Sequence, residues 1–189
     1  MSVISENLLT PNKTKRNGNV RLRGIALPNE HGSWSILLEP LVAAGAVAFT
    51  PATSWIALLF IGTFLMRQPL RIWQADRNAG RDLPQTTAAR KYTAIYATIF
   101  AAGLAGTIAF VPTASFLPLV IAAPLCVVLI YCDVRRKRRS LLPELTGAVA
   151  LSSSAAVISL AGGWTMPAAA ALWAIFILRL IPSGPYIRG

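Results

Sequence analysis

Six apolar stretches separated by polar segments order this chain: residues 34–49, 55–73, 92–111, 114–131, 141–160 and 167–181. A helix that crosses a bilayer needs roughly 20 predominantly apolar residues, about 17 to 25. Tyr92–Val111 runs its whole length without a charge, and Ala114–Tyr131 follows it across the turn Pro112-Thr113. Pro118 and Pro124 inside that stretch predict kinks, because neighbouring helices can satisfy the carbonyls that proline frees. Leu141–Leu160 closes at Gly162-Gly163, and a short stretch, Pro167–Ile181, completes the series. The first two are less regular. Trp34–Phe49 contains Glu39-Pro40, and the strictly apolar part of the second ends at Met66. Beyond it the helix continues through Arg67, Leu70, Arg71 and Trp73 if the arginines snorkel to the interface. The pattern predicts an all-α fold: an integral membrane helical bundle of about six transmembrane helices.

Small residues recur inside these stretches, as at Ala43–Ala46, Gly103, Gly106 and Gly147. Helices packing within lipid need small residues at their contacts, whereas lipid-facing surfaces do not. The fifth stretch, with Ala148, Ser152–Ser154, Ala155 and Ala156, is therefore expected to be the most enclosed.

Charge turns the pattern into a topology. The chain holds 18 Lys and Arg against 7 Asp and Glu, a net charge of +11. The basic residues precede the first stretch (Lys13, Lys15, Arg16, Arg21, Arg23) or lie between the second and third (Arg67 to Lys91). The rest separate the fourth from the fifth (Arg135–Arg139) or close the sixth (Arg179, Arg188). The alternate connections, Phe49–Trp55, Val111–Phe116 and Ala161–Pro167, carry no charge. Basic loops near helix ends stay cytoplasmic, which places both termini there. Residues 1–23 are expected to be a disordered basic cytoplasmic tail and 24–189 the transmembrane domain. Met1–Leu27 lacks the apolar run of a secretory signal.

So basic a chain invites a nucleic-acid reading. Topology already accounts for the charges, however, and composition agrees: 54% hydrophobic, 13% charged, mean hydropathy +0.56. Expected partners are the bilayer and its anionic headgroups at the cytoplasmic loops, with no nucleic acid, together with either a second copy or a membrane partner subunit. Cys126 and Cys132, on different turns of one helix, predict no disulfide, and no metal-ligand spacing is present.

Polar residues at membrane depth carry the functional expectation, because ionisable groups there are costly. His31, Ser35 and Glu39 follow i, i+4, i+8 and form one stripe, beginning beside Glu30. Arg67, Arg71, Gln74 and Asn78 form a second, with Gln68 adjacent. Matching depths predict two ion pairs, Glu39–Arg67 and Glu144–Arg179, or one cluster of four. Between the second and third stretches, Asp76, Arg77, Arg81 and Asp82 form a candidate anion or diphosphate-binding loop, as an intramembrane prenyltransferase requires. The two Asp are six apart, and the paired Asp motifs of those enzymes are missing. No complete catalytic motif emerges, and no cofactor is indicated.

Three blocks resemble a known family. Leu27-Pro-Asn-Glu-His-Gly-Ser-Trp34 with Leu38-Glu-Pro40, Arg67-Gln-Pro-Leu70, and Arg139-Ser-Leu-Leu-Pro-Glu-Leu-Thr-Gly147 are similar to segments of the YwiC-like bacterial multi-pass membrane proteins. The resemblance implies a bacterial cytoplasmic-membrane location and a longer protein with further helices. It supplies no reaction. Glu30, His31, Gly32, Trp34, Glu39, Arg67, Gln68, Pro69 and Glu144 are the positions that carry it. The expected function is thus a multi-pass membrane protein with a cytoplasm-facing polar cluster; a prenyltransferase-like enzyme and a small-solute or proton-coupled transporter are the alternatives.

Overall fold

A computed structural model describes residues 22–27, 31–80, 83–134 and 141–180, excepting the side chains of residues 22, 23, 31–33, 130, 132–134, 141–144 and 180. Seven α-helices follow in order: α1 (Leu22–Ala26), α2 (His31–Val47), α3 (Pro51–Asn78), α4 (Pro84–Phe110), α5 (Leu117–Val134), α6 (Leu141–Ala161) and α7 (Met166–Leu180). A 3₁₀ turn, Thr113–Phe116, links α4 to α5. There is no strand among the described residues, so the fold is all-α. Most of the expected tail, residues 1–21, and the basic segment 135–139 lie outside the described residues.

The two central helices outrun their apolar stretches for local reasons. Pro51 occupies the first turn of α3, where its missing N–H costs nothing, and the Thr50 N–H donates to Thr53 Oγ1 at 3.0 Å. Pro84 does the same for α4, with the Leu83 N–H given to Thr86 Oγ1 at 3.2 Å. α4 thereby begins about two turns before Tyr92, taking Arg90 and Lys91 into the helix. At 28 and 27 residues, α3 and α4 are long and apolar enough to cross a membrane. The apolar parts of α2, α5, α6 and α7 are shorter. α1 was not expected. Its Ile25 is buried, and Tyr96 Oη donates to the Ala26 carbonyl at 3.0 Å, tying it to α4.

α6 is the axis of the bundle and touches α2, α3, α5, α7 and the 3₁₀ turn. Every residue from Ser152 to Leu160 is buried, so the interior is built from small and hydroxyl-bearing side chains. Ser152 and Ser153 return their hydroxyls to carbonyls of their own helix, at 3.0 and 2.6 Å, and Trp173 Nε1 donates to Ser152 Oγ at 3.1 Å from α7. Around this interior, Leu37, Leu41, Ile56, Phe60, Phe64 and Ile158 supply the larger core side chains. Large apolar groups such as Val42, Phe49, Ile108, Phe110, Val127, Ile175 and Leu178 are exposed.

α3 and α4 form a tight hairpin because glycine removes side chains where their backbones meet. A Cβ on Gly103 would stand 2.3 Å from the Leu59 nitrogen, and one on Gly62 would stand 2.7 Å from the Phe100 nitrogen. Such close approach is available only to glycine. α4 and α5, by contrast, form no packed interface among the described residues, although only Val111–Phe116 joins them. α3, α5 and α6 meet beneath that gap.

Candidate functional site

The gap encloses a cavity of about 440 Å³. α3 supplies one long wall, from Leu59 and Phe60 through Phe64 and Arg67 to Gln74. Phe100 and Leu104 face in from α4, Leu119, Ala122, Ala123 and Cys126 from α5, and Gly147, Ala150, Leu151 and Ser153 from α6. Most of this lining is aliphatic or aromatic. Among the described residues its strongly polar groups, Arg67, Arg71 and Gln74, all come from the last three turns of α3. Their i, i+4, i+7 spacing puts them on one helix face, at the end of the bundle where charge is concentrated. The cavity therefore has an apolar body and a polar end that carries two arginines.

Local contacts orient that end. Arg71 donates a guanidinium N–H to Gln68 Oε1 at 2.7 Å, and the Gln68 amide reaches the Gly24 carbonyl of α1 at 3.4 Å. Pro69 is buried between them in sequence, inside α3. Arg67 is exposed and extends along α6, close enough that a Cβ on Gly147 would lie 3.9 Å from its Nη1. Arg67 and Arg71 both take part in further interactions at this end of the bundle.

The polar residues nominated by the sequence divide into groups. Arg67, Gln68 and Arg71 sit together at the cavity. Glu39 is paired elsewhere: its Oε1 accepts from Arg179 Nη2 at 3.3 Å, in place of the expected Glu39–Arg67 pair; the expected Glu144–Arg179 pair turns on a Glu144 side chain outside the described residues. The cause is the position of α6, which α2 and α7 both flank, so that side chains of α2 and α7 reach each other across it. This ion pair is open, with the Arg179 and Glu39 side chains 67% and 41% exposed. Ser35 is exposed on α2. Glu30 lies outside the described residues; His31 and Glu144 fall in the first turns of α2 and α6, and their side chains are not described.

The loop nominated for diphosphate is drawn into structural work. Asp76 Oδ2 accepts from Thr86 Oγ1 at 2.7 Å and from Gln85 Nε2 at 3.1 Å, stapling the end of α3 to the first turn of α4. A carboxylate at a helix N-terminus is also favoured by the helix dipole. Arg77 rests over the Trp73 ring, 6.0 Å from its centroid. Arg81 and Asp82 lie outside the described residues. No group of three His, Cys, Asp or Glu gathers as a metal site among the described residues.

Sequence reasoning missed the cavity itself. Its α3 wall continues the Arg67–Arg71–Gln74 face backward through Phe60, Thr63 and Phe64, a periodicity visible in the sequence. Nothing in the sequence showed that α4 and α5 would leave that face uncovered.

Residues 27–159 match the family model described as YwiC-like protein. No curated protein and no solved structure matches the chain.

Proposed function

This chain belongs to the YwiC-like family, and we propose that it is a multi-pass membrane protein that holds an anionic amphiphile in the cavity beside α3. The observation that carries this reading is the composition of the cavity along its length: apolar from Leu59 to Phe64, arginine-bearing and polar from Arg67 to Gln74. A chain-bearing molecule with a negative head matches both parts at once. Apolar burial supplies roughly 25 cal/mol per Å², and charge-assisted hydrogen bonds to arginine fix the head.

The membrane setting rests on six apolar stretches, on the exposed apolar residues of the bundle surface, and on the one-sided placement of the 18 basic residues. Apolar patches on this scale are rare on a soluble monomer. In this reading all six long helices span, the charged end and both termini are cytoplasmic, and exposed Arg77, Arg90 and Lys91 lie among anionic headgroups. Glu39 and Arg179 then fix α2 against α7 outside the ligand site. The engagement of Asp76 by Gln85 and Thr86 favours binding over prenyl transfer at that loop.

A photoreactive test separates the cavity from the general lipid-facing surface. A diazirine-bearing long-chain fatty acid added to the purified protein is expected to label peptides covering residues 119–129 and 147–153. Replacing Arg67 and Arg71 together by Gln should reduce that labelling about tenfold, the equivalent of roughly 1.4 kcal/mol. Labelling spread evenly over all exposed apolar faces, and unchanged in the double variant, overturns the reading.

A further inference from the structure

Resting on the membrane setting proposed above, and not on what fills the cavity, we infer that the α2–α7 face is a two-fold interface with a second copy of this chain, closed by Glu39 and Arg179 of both protomers. Three features lead there.

The first is where the charges sit. Glu39 is the middle residue of α2, which runs from His31 to Val47, and at 1.5 Å per residue it lies about 12 Å from either end. A carboxylate at that depth is costly against hydrocarbon, and such groups ordinarily face protein or a water-filled space. Here the side chains of Glu39 and Arg179 are both exposed on the outside of the bundle. A single contact joins them, Glu39 Oε1 to Arg179 Nη2 at 3.3 Å, which is long for a charge-assisted bond. The chains of a bilayer satisfy neither group, so one protomer alone leaves this face unfinished.

The second is symmetry. Copies inserted in the same orientation are related by a two-fold axis along the membrane normal, and such an axis preserves depth. Glu39 and Arg179 touch, so each protomer presents both signs of charge at one level. Across the axis Glu39 meets the partner's Arg179 while Arg179 meets the partner's Glu39, and four charges alternate in a ring. A patch that carries both signs at one level is self-complementary, which is what an isologous contact requires. A foreign helix would have to bring both signs to that level; a second copy does so automatically.

The third is shape. Ser35, Glu39, Ala43 and Ala46 follow i, i+4, i+8, i+11 and share one face of α2. Ser35, Ala43 and Ala46 are exposed, while Leu37, Leu41 and Ala44 turn the opposite way into the core. Lipid does not require small side chains on a helix surface, whereas close helix contact does. Among the described residues α2 packs against α6 and α3, and α7 against α6, so no helix of the same chain covers this face.

The test places full-length chains labelled with donor or acceptor fluorophores in phosphatidylcholine vesicles and reads energy transfer as lipid is added. Dilute detergent favours single chains by mass action, so association is read in the bilayer. Wild type is expected to show transfer above that of randomly placed chains. Glu39→Arg and Arg179→Glu each gather like charges at the axis and should each weaken association at least about tenfold. Mixed together, the two variant chains should regain wild-type association to within about threefold, although the pair within each chain stays broken. Ala46→Trp changes an exposed position, leaves the ion pair intact, and should also weaken association about tenfold by holding the helices apart.

Absence of transfer in wild type, or transfer that all three variants keep, overturns the interface. Loss in the charge variants without recovery on mixing overturns it too, because the pair then acts within one chain or on a foreign partner. An Ala46→Trp chain that associates like wild type removes α2 from the contact and overturns the assignment of this face. Extraction of wild type from the vesicles by alkaline carbonate would sink the membrane setting itself, and this inference with it. Photolabelling of the cavity reads the amphiphile separately, so its failure leaves the interface standing.

Discussion

Helix α4 meets two neighbours, and the two meetings are built on opposite principles. Against α3 it presents Gly103 and Gly106, while Gly62 answers from the other side, so the two backbones touch. Toward α5 it presents Phe100 and Leu104 across open space. Helices in lipid gain little from burying apolar surface against each other, since the chains of the bilayer are equally apolar. What decides contact is whether side chains allow close approach. The seam and the gap therefore follow from side-chain size, with similar hydrophobicity on both faces.

The largest expected effect comes from forcing side chains into the seam. Gly103→Val would drive a Cβ into the Leu58 and Leu59 backbone, which cannot swing aside as a side-chain tip would. Overpacking of this kind costs 1–3 kcal/mol and more when backbone must move, so a loss of about 3 kcal/mol is expected. Thermal melting in detergent reads it. A melting temperature within a degree or two of wild type would mean that seam and gap are equally loose. Next in size is the staple that closes the seam at its charged end. Asp76→Ala removes the acceptor of two hydrogen bonds and is expected to cost about 1–3 kcal/mol, with Asp76→Asn recovering part of it. If the two substitutions are both silent, the α3–α4 seam is held by the glycines alone.

The gap should respond to added volume with the opposite sign. Ala150 is buried on α6 and lines the cavity, so Ala150→Leu grows into empty space. A gain of about 1 kcal/mol is expected, at the usual 0.5–2 kcal/mol for cavity-filling changes, together with loss of labelling by the photoreactive fatty acid. Destabilisation by this substitution would show that the space is already filled by closer packing of α5, and the contrast drawn for α4 would vanish.

The chain was legible where its rules are local. The periodic apolar stretches gave the six long helices, and the run of small residues gave α6 its enclosed place, because both follow from helix geometry and packing needs. Helix starts were misjudged at Pro51 and Pro84, where proline at the first turn extends a helix outward past its apolar part. The partner of Glu39 was misplaced for another reason. Depth along a helix can be counted from the sequence, but which helices stand side by side cannot. Glu39 and Arg67 were matched by depth, yet α7 brings Arg179 to Glu39 instead, and Arg67 turns toward α6. The cavity was hidden for the same reason: it is a contact that does not form, and α3 carries the same polar face whether or not something covers it.

A second helix pair sharpens the comparison with the smallest expected effect. α2 and α7 both lean on α6 and form no packed interface with each other among the described residues, so theirs is also a gap. Here an ion pair spans it, Arg179 to Glu39 at 3.3 Å, and neither residue lines the cavity. Exposed pairs of this kind are worth about 0–1 kcal/mol, because solvent screening and side-chain entropy offset most of the attraction. Glu39→Gln is therefore expected to lower the melting temperature only slightly, and Glu39→Gln with Arg179→Gln no more than either alone. Labelling of the cavity by the photoreactive fatty acid should be unchanged in these variants, since neither Glu39 nor Arg179 lines it. Loss of labelling in Glu39→Gln would mean that the α2–α7 pair sets the position of α6 and hence the width of the gap between α4 and α5. In that case the two gaps would be one mechanical unit, and an unpacked helix pair could not be assigned a role without knowing what its opposite number does.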